Sequence, residues 1–71
     1  MRLVLTIEGM HCEQCTRRVR DSILAITGKE ATVTEGQAVF EWNSLDIVED
    51  LRNLLNDYGY SIVEVETFEK N

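Results

Sequence analysis

Two cysteines, Cys12 and Cys15, stand two residues apart in the segment 9–15 (GMHCEQC), and the chain of 71 residues has no other cysteine. Thiolates are soft ligands, and a pair at this spacing can chelate one metal ion. The same spacing occurs in thiol–disulfide oxidoreductases, where one sulfur attacks a disulfide. The pair therefore predicts either a soft-metal site or a redox centre.

The number of available ligands favours some metals over others. A structural zinc site needs four ligands, but the chain offers only the cysteine pair and one histidine, His11. Cu(I) is satisfied by two thiolates. An ion held by so few ligands in an accessible loop can leave by exchange with another dithiol. The residues therefore favour metal transport over structural support.

Three further residues are candidates for a part in the site. Met10 offers a thioether as a third soft ligand, but packing as a core anchor that fixes the loop is the favoured interpretation. His11 lies next to Cys12 on an extended segment, which directs its side chain away from the site. Tyr60 is either an ordinary strand aromatic, which the residues alone favour, or a side chain that closes over the site.

The elements that position the pair follow from the hydrophobic pattern. Alternating apolar residues predict a strand over 2–8, and a change to helical spacing predicts a helix over 13–26 that ends at Gly28. Two short strands are expected over 30–34 and 37–42, around a glycine-containing turn. The cysteines thus fall at a strand-to-helix junction.

The remaining sequence predicts a second helix and a last strand. The helix begins after a cap among residues 43–46 and runs to about Tyr58, with Tyr58 facing inward. A strand rich in β-branched and aromatic residues follows over 60–67. The β-α-β-β-α-β order predicts a split βαβ arrangement, in which an antiparallel four-stranded sheet lies under two helices in one domain, 1–71.

Cys15 falls in the first turn of the predicted helix, where unpaired amides and the helix dipole favour a thiolate. Arg17, Arg18 and Arg20 lie within about a turn of it and either add to this effect or point to solvent. The local sequence therefore predicts an activated thiol.

Charge and hydropathy exclude some functions. The net charge is −6, and all of it lies in residues 41–71, with eight acids against two bases. An acidic chain argues against binding to nucleic acid. This acidic half serves either solubility or steering toward a basic partner. No apolar stretch resembles a signal peptide or a membrane span, so we expect a cytoplasmic protein without membrane insertion.

Residues 6–15 (TIEGMHCEQC) resemble the GMxCxxC signature of the heavy-metal-associated domain family. That family comprises small copper chaperones and the metal-binding domains of copper and zinc transport ATPases. Val19, four residues after the second cysteine, and Gly59-Tyr60 after the second helix extend the resemblance over the whole chain. Tyr60 matches a position that is often tyrosine in bacterial copper chaperones.

The resemblance implies a ferredoxin-like fold with Cys12 and Cys15 as the metal ligands. It implies a bacterial-type copper chaperone, not an enzyme, that delivers Cu(I) to the dithiol of a copper-transporting P-type ATPase or its metal-binding domain. Met10 resembles the buried methionine that supports the loop, and Tyr60 is expected beside the metal. A monomer is expected, or a dimer bridged by copper through four thiolates.

His11 departs from the family pattern, which often has Thr or Ser before the first cysteine, or Asp in zinc-preferring members. Zn(II), cadmium or mercury therefore stay as alternative ions. A metal-binding domain of a transport ATPase is the alternative to a free chaperone, although the starting Met and polar end favour the latter. A thiol–disulfide oxidoreductase is disfavoured because the chain has no proline to face the pair.

Overall fold

A computed structural model describes residues 1–69 of the chain. The elements in chain order are β1 (Arg2–Glu8), α1 (Glu13–Thr27), β2 (Thr32–Thr34), β3 (Gln37–Glu41), α2 (Asp46–Asp57) and β4 (Ser61–Phe68). The strands form one antiparallel sheet in the order β2-β3-β1-β4. The two helices pack against each other and cover one face of this sheet. The predicted α+β, ferredoxin-like βαββαβ sandwich is confirmed.

The strand that leads into the cysteine segment lies in the middle of the sheet. In β1, the side chains of Leu3, Leu5 and Ile7 point into the core and are almost completely buried. Leu5 lies opposite Ala38 of β3 and Val65 of β4. Because both edges of β1 are hydrogen-bonded, the loop that follows it starts from a fixed point.

The core fills the space between the sheet and the helices. Its apolar side chains come from every element except β2 and from three of the connecting segments. Among the described residues they are Leu3, Leu5, Ile7, Met10, Val19, Ile23, Ala31, Ala38, Phe40, Ile47, Val48, Leu51, Leu55, Tyr60 and Ile62. Burial of each of the larger aliphatic side chains and of Phe40 is worth about 1.5–3 kcal/mol before the opposing entropy is counted. Two members of this set, Met10 and Tyr60, tie the loop and the start of β4 into the core.

The turn after α2 brings β4 back to the sheet beside the cysteine loop. Gly59 adopts a positive φ of 88°, and its amide donates to the Asn56 carbonyl at 3.0 Å. The amide of Tyr60 donates to the Leu55 carbonyl at 2.9 Å. These two bonds form a Schellman motif, which stops the helix and fixes the direction of the following chain.

Two details of α2 differ from expectation. Tyr58 does not face inward: 46% of its surface is exposed, because the helix ends there and the side chain lies over α1 instead. Leu45 occupies the cap position without a side-chain bond, while the Ser44 hydroxyl accepts the Asp46 amide at 3.0 Å. Within residues 1–69, neither helix has the length and apolar character to cross a membrane.

Candidate metal centre

The two cysteines lie at the start of α1, and the side chain of the first is hydrogen-bonded to the backbone amide of the second. Cys12 is the cap residue, with extended backbone angles (φ −141°, ψ 165°), and its Sγ accepts the Cys15 amide at 3.3 Å. The Cys12 carbonyl accepts the Thr16 amide at 3.1 Å. A side chain that accepts an amide in the first turn satisfies a donor that the helix leaves open. The first cysteine therefore helps to hold the helix that carries the second.

The sulfur atoms face each other at the molecular surface. Both thiols are free, and the distance between Cys12 Sγ and Cys15 Sγ is 2.8 Å. Cys12 is exposed and Cys15 is half-buried. One ion at the mouth of this loop can contact both sulfurs and stay accessible to a ligand from another molecule.

The second thiol is set to ionise near neutral pH. Hydrogen bonding from Cys12, then from the Tyr60 hydroxyl, and from the backbone amides of His11 and Cys12 lowers the pKa of Cys15 from 9.0 to about 7. Partial burial opposes this change. The arginines of α1 are not among the causes, so of the two alternatives left open for these residues, direct stabilisation of the thiolate is not supported. At neutral pH, Cys15 is therefore ionised to a larger extent than an ordinary cysteine.

Tyr60 lies directly beside the pair. It is 4% exposed, and its hydroxyl interacts with the sulfur of Cys15, an interaction that raises the pKa of Tyr60. The ring centroid of Tyr58 lies 6.1 Å from that of Tyr60, and the guanidinium carbon of Arg18 lies 5.5 Å from the Tyr58 ring centroid. The placement of Tyr60 next to the loop agrees with what the resemblance implies.

Met10 and His11 have different environments. Met10 is 1% exposed and packs within the core cluster, which fits a loop anchor rather than a surface ligand. The His11 side chain is exposed, and only its backbone amide acts on Cys15. Within residues 1–69, no third His, Cys, Asp or Glu side chain joins the sulfurs to form a metal-binding group. The described side chains therefore bring two sulfurs together and no further ligand of these types.

Gly9 belongs to the signature segment, but its role in the site could not be inferred from the sequence alone. Its φ is +94°, and a Cβ atom at this position would lie 2.9 Å from the Gly59 carbonyl oxygen and 3.5 Å from the Tyr60 ring. Glycine is the residue that tolerates both the angle and the close approach. The sequence did contain a signal for this contact, because a glycine directly precedes each of two candidate site residues: Gly9 precedes Met10, and Gly59 precedes Tyr60.

Comparison with known protein families identifies the family of this chain. The heavy-metal-associated domain model matches residues 4–61, which include both cysteines and Tyr60. The chain belongs to the heavy-metal-associated domain family. Heavy-metal binding is therefore its general function, and the resemblance inferred from the cysteine segment is confirmed at that level.

A solved structure supports the fold of this family member. The solution structure of the N-terminal domain of ZntA in the Zn(II)-form matches with a TM-score of 0.73. It is 22% identical, and the match covers 97% of this chain and 96% of that one. At this identity the similarity establishes the fold alone. No curated protein matches the sequence significantly.

Proposed function

We propose that this heavy-metal-associated domain is a Cu(I) carrier and not an enzyme. It binds one Cu(I) between Cys12 and Cys15 and transfers it to the dithiol of a partner protein. The observation that carries the proposal is the pair of free thiols 2.8 Å apart at an accessible helix start, without a third such ligand in residues 1–69. A two-sulfur site suits Cu(I), whereas a structural zinc site needs four ligands.

The transfer needs only ligand exchange. A thiolate of the partner forms a bond to Cu(I), the bond from one carrier cysteine breaks, and a second exchange completes the hand-over. Copper stays Cu(I) throughout, and the protons lost by the partner thiols are taken up by the released carrier thiolates. Cys12 is more exposed than Cys15, so we expect the partner sulfur to displace Cys12 first.

The partner expected from the resemblance is a copper-transporting P-type ATPase or its metal-binding domain. The test is a mixture of the Cu(I)-loaded carrier with an isolated dithiol domain of such an ATPase, followed by separation and copper analysis. We expect copper to partition between the two proteins within the mixing time. Copper that stays on the carrier despite an equal or higher affinity of the acceptor would contradict a transfer role.

The metal preference is tested by competition. The reduced protein is titrated with Cu(I) and with Zn(II) in the presence of a coloured chelator, beside the variant with both Cys12→Ser and Cys15→Ser. The proposal requires one equivalent of Cu(I), held much more tightly than zinc, and its loss in the double variant. Serine is close to cysteine in size, so we expect the double variant to fold. A loss of copper binding can then be assigned to the missing sulfurs. Copper that remained bound without the sulfurs would exclude the proposed site.

Zinc is the second candidate cargo. The matching ZntA domain was solved in its Zn(II)-form, and His11 stands next to Cys12 in a position where it can reorient because its side chain is exposed. Measurement of zinc and copper affinity in the variant His11→Ala distinguishes the two candidate metals. A zinc carrier loses much of its affinity in this variant, whereas a Cu(I) carrier with two sulfur ligands changes little. Strong zinc binding would also favour a relationship with a zinc transport ATPase.

A redox function is the remaining alternative. The lowered pKa of Cys15 is shared by metal-binding and redox cysteines, so this value does not separate the two functions. Catalytic reduction of insulin disulfides by the reduced protein does separate them. We expect no turnover above the rate of free dithiothreitol.

A further inference from the structure

A shallow depression adjoins the cysteine pair on the outer side of α1. It has a volume of about 300 Å³ and is lined by Glu13, Thr16, Arg17 and Arg20. Thr16 joins it to the pair, because the Thr16 hydroxyl donates to the Cys12 carbonyl at 3.2 Å and the Thr16 amide donates to the same oxygen at 3.1 Å. The depression is therefore continuous with the more exposed of the two cysteines.

The two arginines of this depression are available to a ligand from another molecule. Both side chains are exposed, and within residues 1–69 neither forms an ion pair. They lie three residues apart on α1, so both guanidiniums are on one face of the helix. Glu13, four residues before Arg17, leaves two cations against one carboxylate. Guanidinium groups bind carboxylates through paired hydrogen bonds.

Most of the acidic residues lie on another side of the molecule. α1 packs against β2 and α2 packs against β4, and β2 and β4 are opposite edges of the sheet. A groove between the helices, lined in part by Arg18, Leu54 and Tyr58, separates the depression from α2. The acids beyond this groove are Asp46, Glu49, Asp50, Asp57, Glu64 and Glu66. A chain with a net charge of −6 thus has a cationic area beside its sulfurs.

We propose that Arg17 and Arg20 form the docking surface for a partner protein that carries carboxylates beside its dithiol. This inference rests on the proposed function, in which a partner sulfur displaces Cys12 first. The guanidiniums bind the partner's carboxylates while the sulfurs meet, and they repel a dithiol that is surrounded by lysines. The acidic half of the chain is then not the surface that meets the partner's metal site.

The test uses two synthetic acceptor peptides, each with one Cys-x-x-Cys pair, flanked by glutamates in one peptide and by lysines in the other. The initial rate of copper transfer from the Cu(I)-loaded protein is measured at physiological ionic strength, where the Debye length is about 8 Å and distant charges are screened. We expect Arg17→Gln with Arg20→Gln to slow transfer to the glutamate peptide by about three- to tenfold. Transfer to the lysine peptide should not become slower.

A matched control removes the same charge elsewhere. Arg2 begins β1 and Lys29 follows the end of α1, so both lie at the opposite end of these elements from the cysteines. Arg2→Gln with Lys29→Gln should change both transfer rates by less than about twofold. Equal effects of the two double variants, or equal slowing for both peptides, would overturn the inference. Thermal unfolding of each variant shows whether the fold is intact.

An anionic membrane is the competing occupant, because arginines also bind phosphates. We favour a protein, since a broad anionic surface would also meet the acids of α2 and β4, whereas a partner's dithiol loop contacts only the surroundings of Cys12. Sedimentation with phosphatidylglycerol vesicles should therefore show no binding. Binding that depends on Arg17 and Arg20 would overturn the proposal.

A metal-free readout keeps this inference separate from the proposed function. In the Cys15→Ser background, Cys12 reacts with peptides of the same two charge types, each with one cysteine as a mixed disulfide with thionitrobenzoate. The Cys12 sulfur bonds to the peptide sulfur, and the coloured thionitrobenzoate leaves as a thiolate. The same dependence on Arg17 and Arg20 is expected. This dependence without tight Cu(I) binding in the wild-type protein would reject the carrier function alone, and its absence would reject the docking surface.

Discussion

A Cβ atom on Gly9 would lie 2.9 Å from the carbonyl oxygen of Gly59. The cysteine loop and the turn after α2 therefore meet backbone to backbone. This contact sets how far Tyr60, the next residue after Gly59, stands from the sulfur pair. The geometry of the candidate metal centre thus depends on a turn more than forty residues away in sequence.

Replacement of this glycine should be more harmful than replacement of a glycine in open space. Gly9→Ala combines an unfavourable positive φ with the close approach, and we expect it to lower the free energy of unfolding by about 2–4 kcal/mol. Gly28→Ala is the control, because Gly28 has a φ of +72° but no atom within 4 Å of the added Cβ. It should cost about 1 kcal/mol. Urea unfolding measures both, and equal losses would show that the loop can move away from the turn.

Met10 should support the cysteine loop by filling space in the core and should not bind the metal through its sulfur. Its side chain is 1% exposed and belongs to the core. Met10→Ala should therefore lower the free energy of unfolding by about 2–4 kcal/mol, whereas Met10→Leu should change it by less than about 1.5 kcal/mol. Chelator competition should give the same Cu(I) affinity for Met10→Leu as for the wild type. A large loss of affinity in Met10→Leu would identify the thioether as a third ligand.

The cap and ligand roles of Cys12 can be separated by two substitutions. Cys12→Ala removes the acceptor for the Cys15 amide, and we expect a loss of about 0.5–1 kcal/mol in the free energy of unfolding. Cys12→Ser keeps an acceptor of a type favoured at this position, so the metal-free protein should be as stable as the wild type. Both variants should lose tight Cu(I) binding. Equal stability of the alanine and serine variants would mean that the sulfur cap contributes nothing measurable.

The reactivity of Cys15 should change across neutral pH. Since its pKa is lowered to about 7, the thiolate fraction falls as the pH decreases through 7, and metal binding must then release a proton. We expect Cu(I) affinity to decrease below that pH. Alkylation by iodoacetamide, followed by mass spectrometry, should give a midpoint near pH 7. Tyr60→Phe should move this midpoint upward, toward 9.0, because one hydrogen bond to the thiolate is lost. An unchanged midpoint would remove Tyr60 from the causes of the shift.

The fold was largely predictable because its signals are local. The alternation of Leu3, Leu5 and Ile7 marks the central strand, and Gly28 marks the end of the first helix where the structure has it. The position of Tyr58 was wrong because helical periodicity holds only while the helix continues. At the last turn of α2, packing against α1 decides where the side chain lies. The single domain over 1–71 stays a prediction, since Lys70 and Asn71 lie outside the described residues.

The sequence indicated the two candidate ligands, whose role stays a prediction, but not the surroundings that the structure shows. Cys12, Cys15 and the core position of Met10 follow from residue type and spacing. The contact of Gly9 with Gly59 and that of Arg18 with Tyr58 join segments far apart in the chain, and no local pattern encodes them. The sequence predicted a favoured thiolate at Cys15 but left open whether the arginines contribute. The leading causes of the lowered pKa of Cys15 are hydrogen bonds from Cys12 and Tyr60, and no arginine is among them.

The cap that Cys12 places on α1 has a consequence for the release of metal from the proposed carrier. In a zinc finger, folding and metal binding are one equilibrium, so the loss of the ion unfolds the protein. Here the first turn of the helix is closed by hydrogen bonds to the sulfur and the carbonyl of Cys12, which need no ion. Loaded and empty forms can therefore share one folded state. If the proposed carrier function holds, the competing sulfurs of donor and acceptor decide the direction of each transfer, and the emptied protein needs no refolding before it binds again.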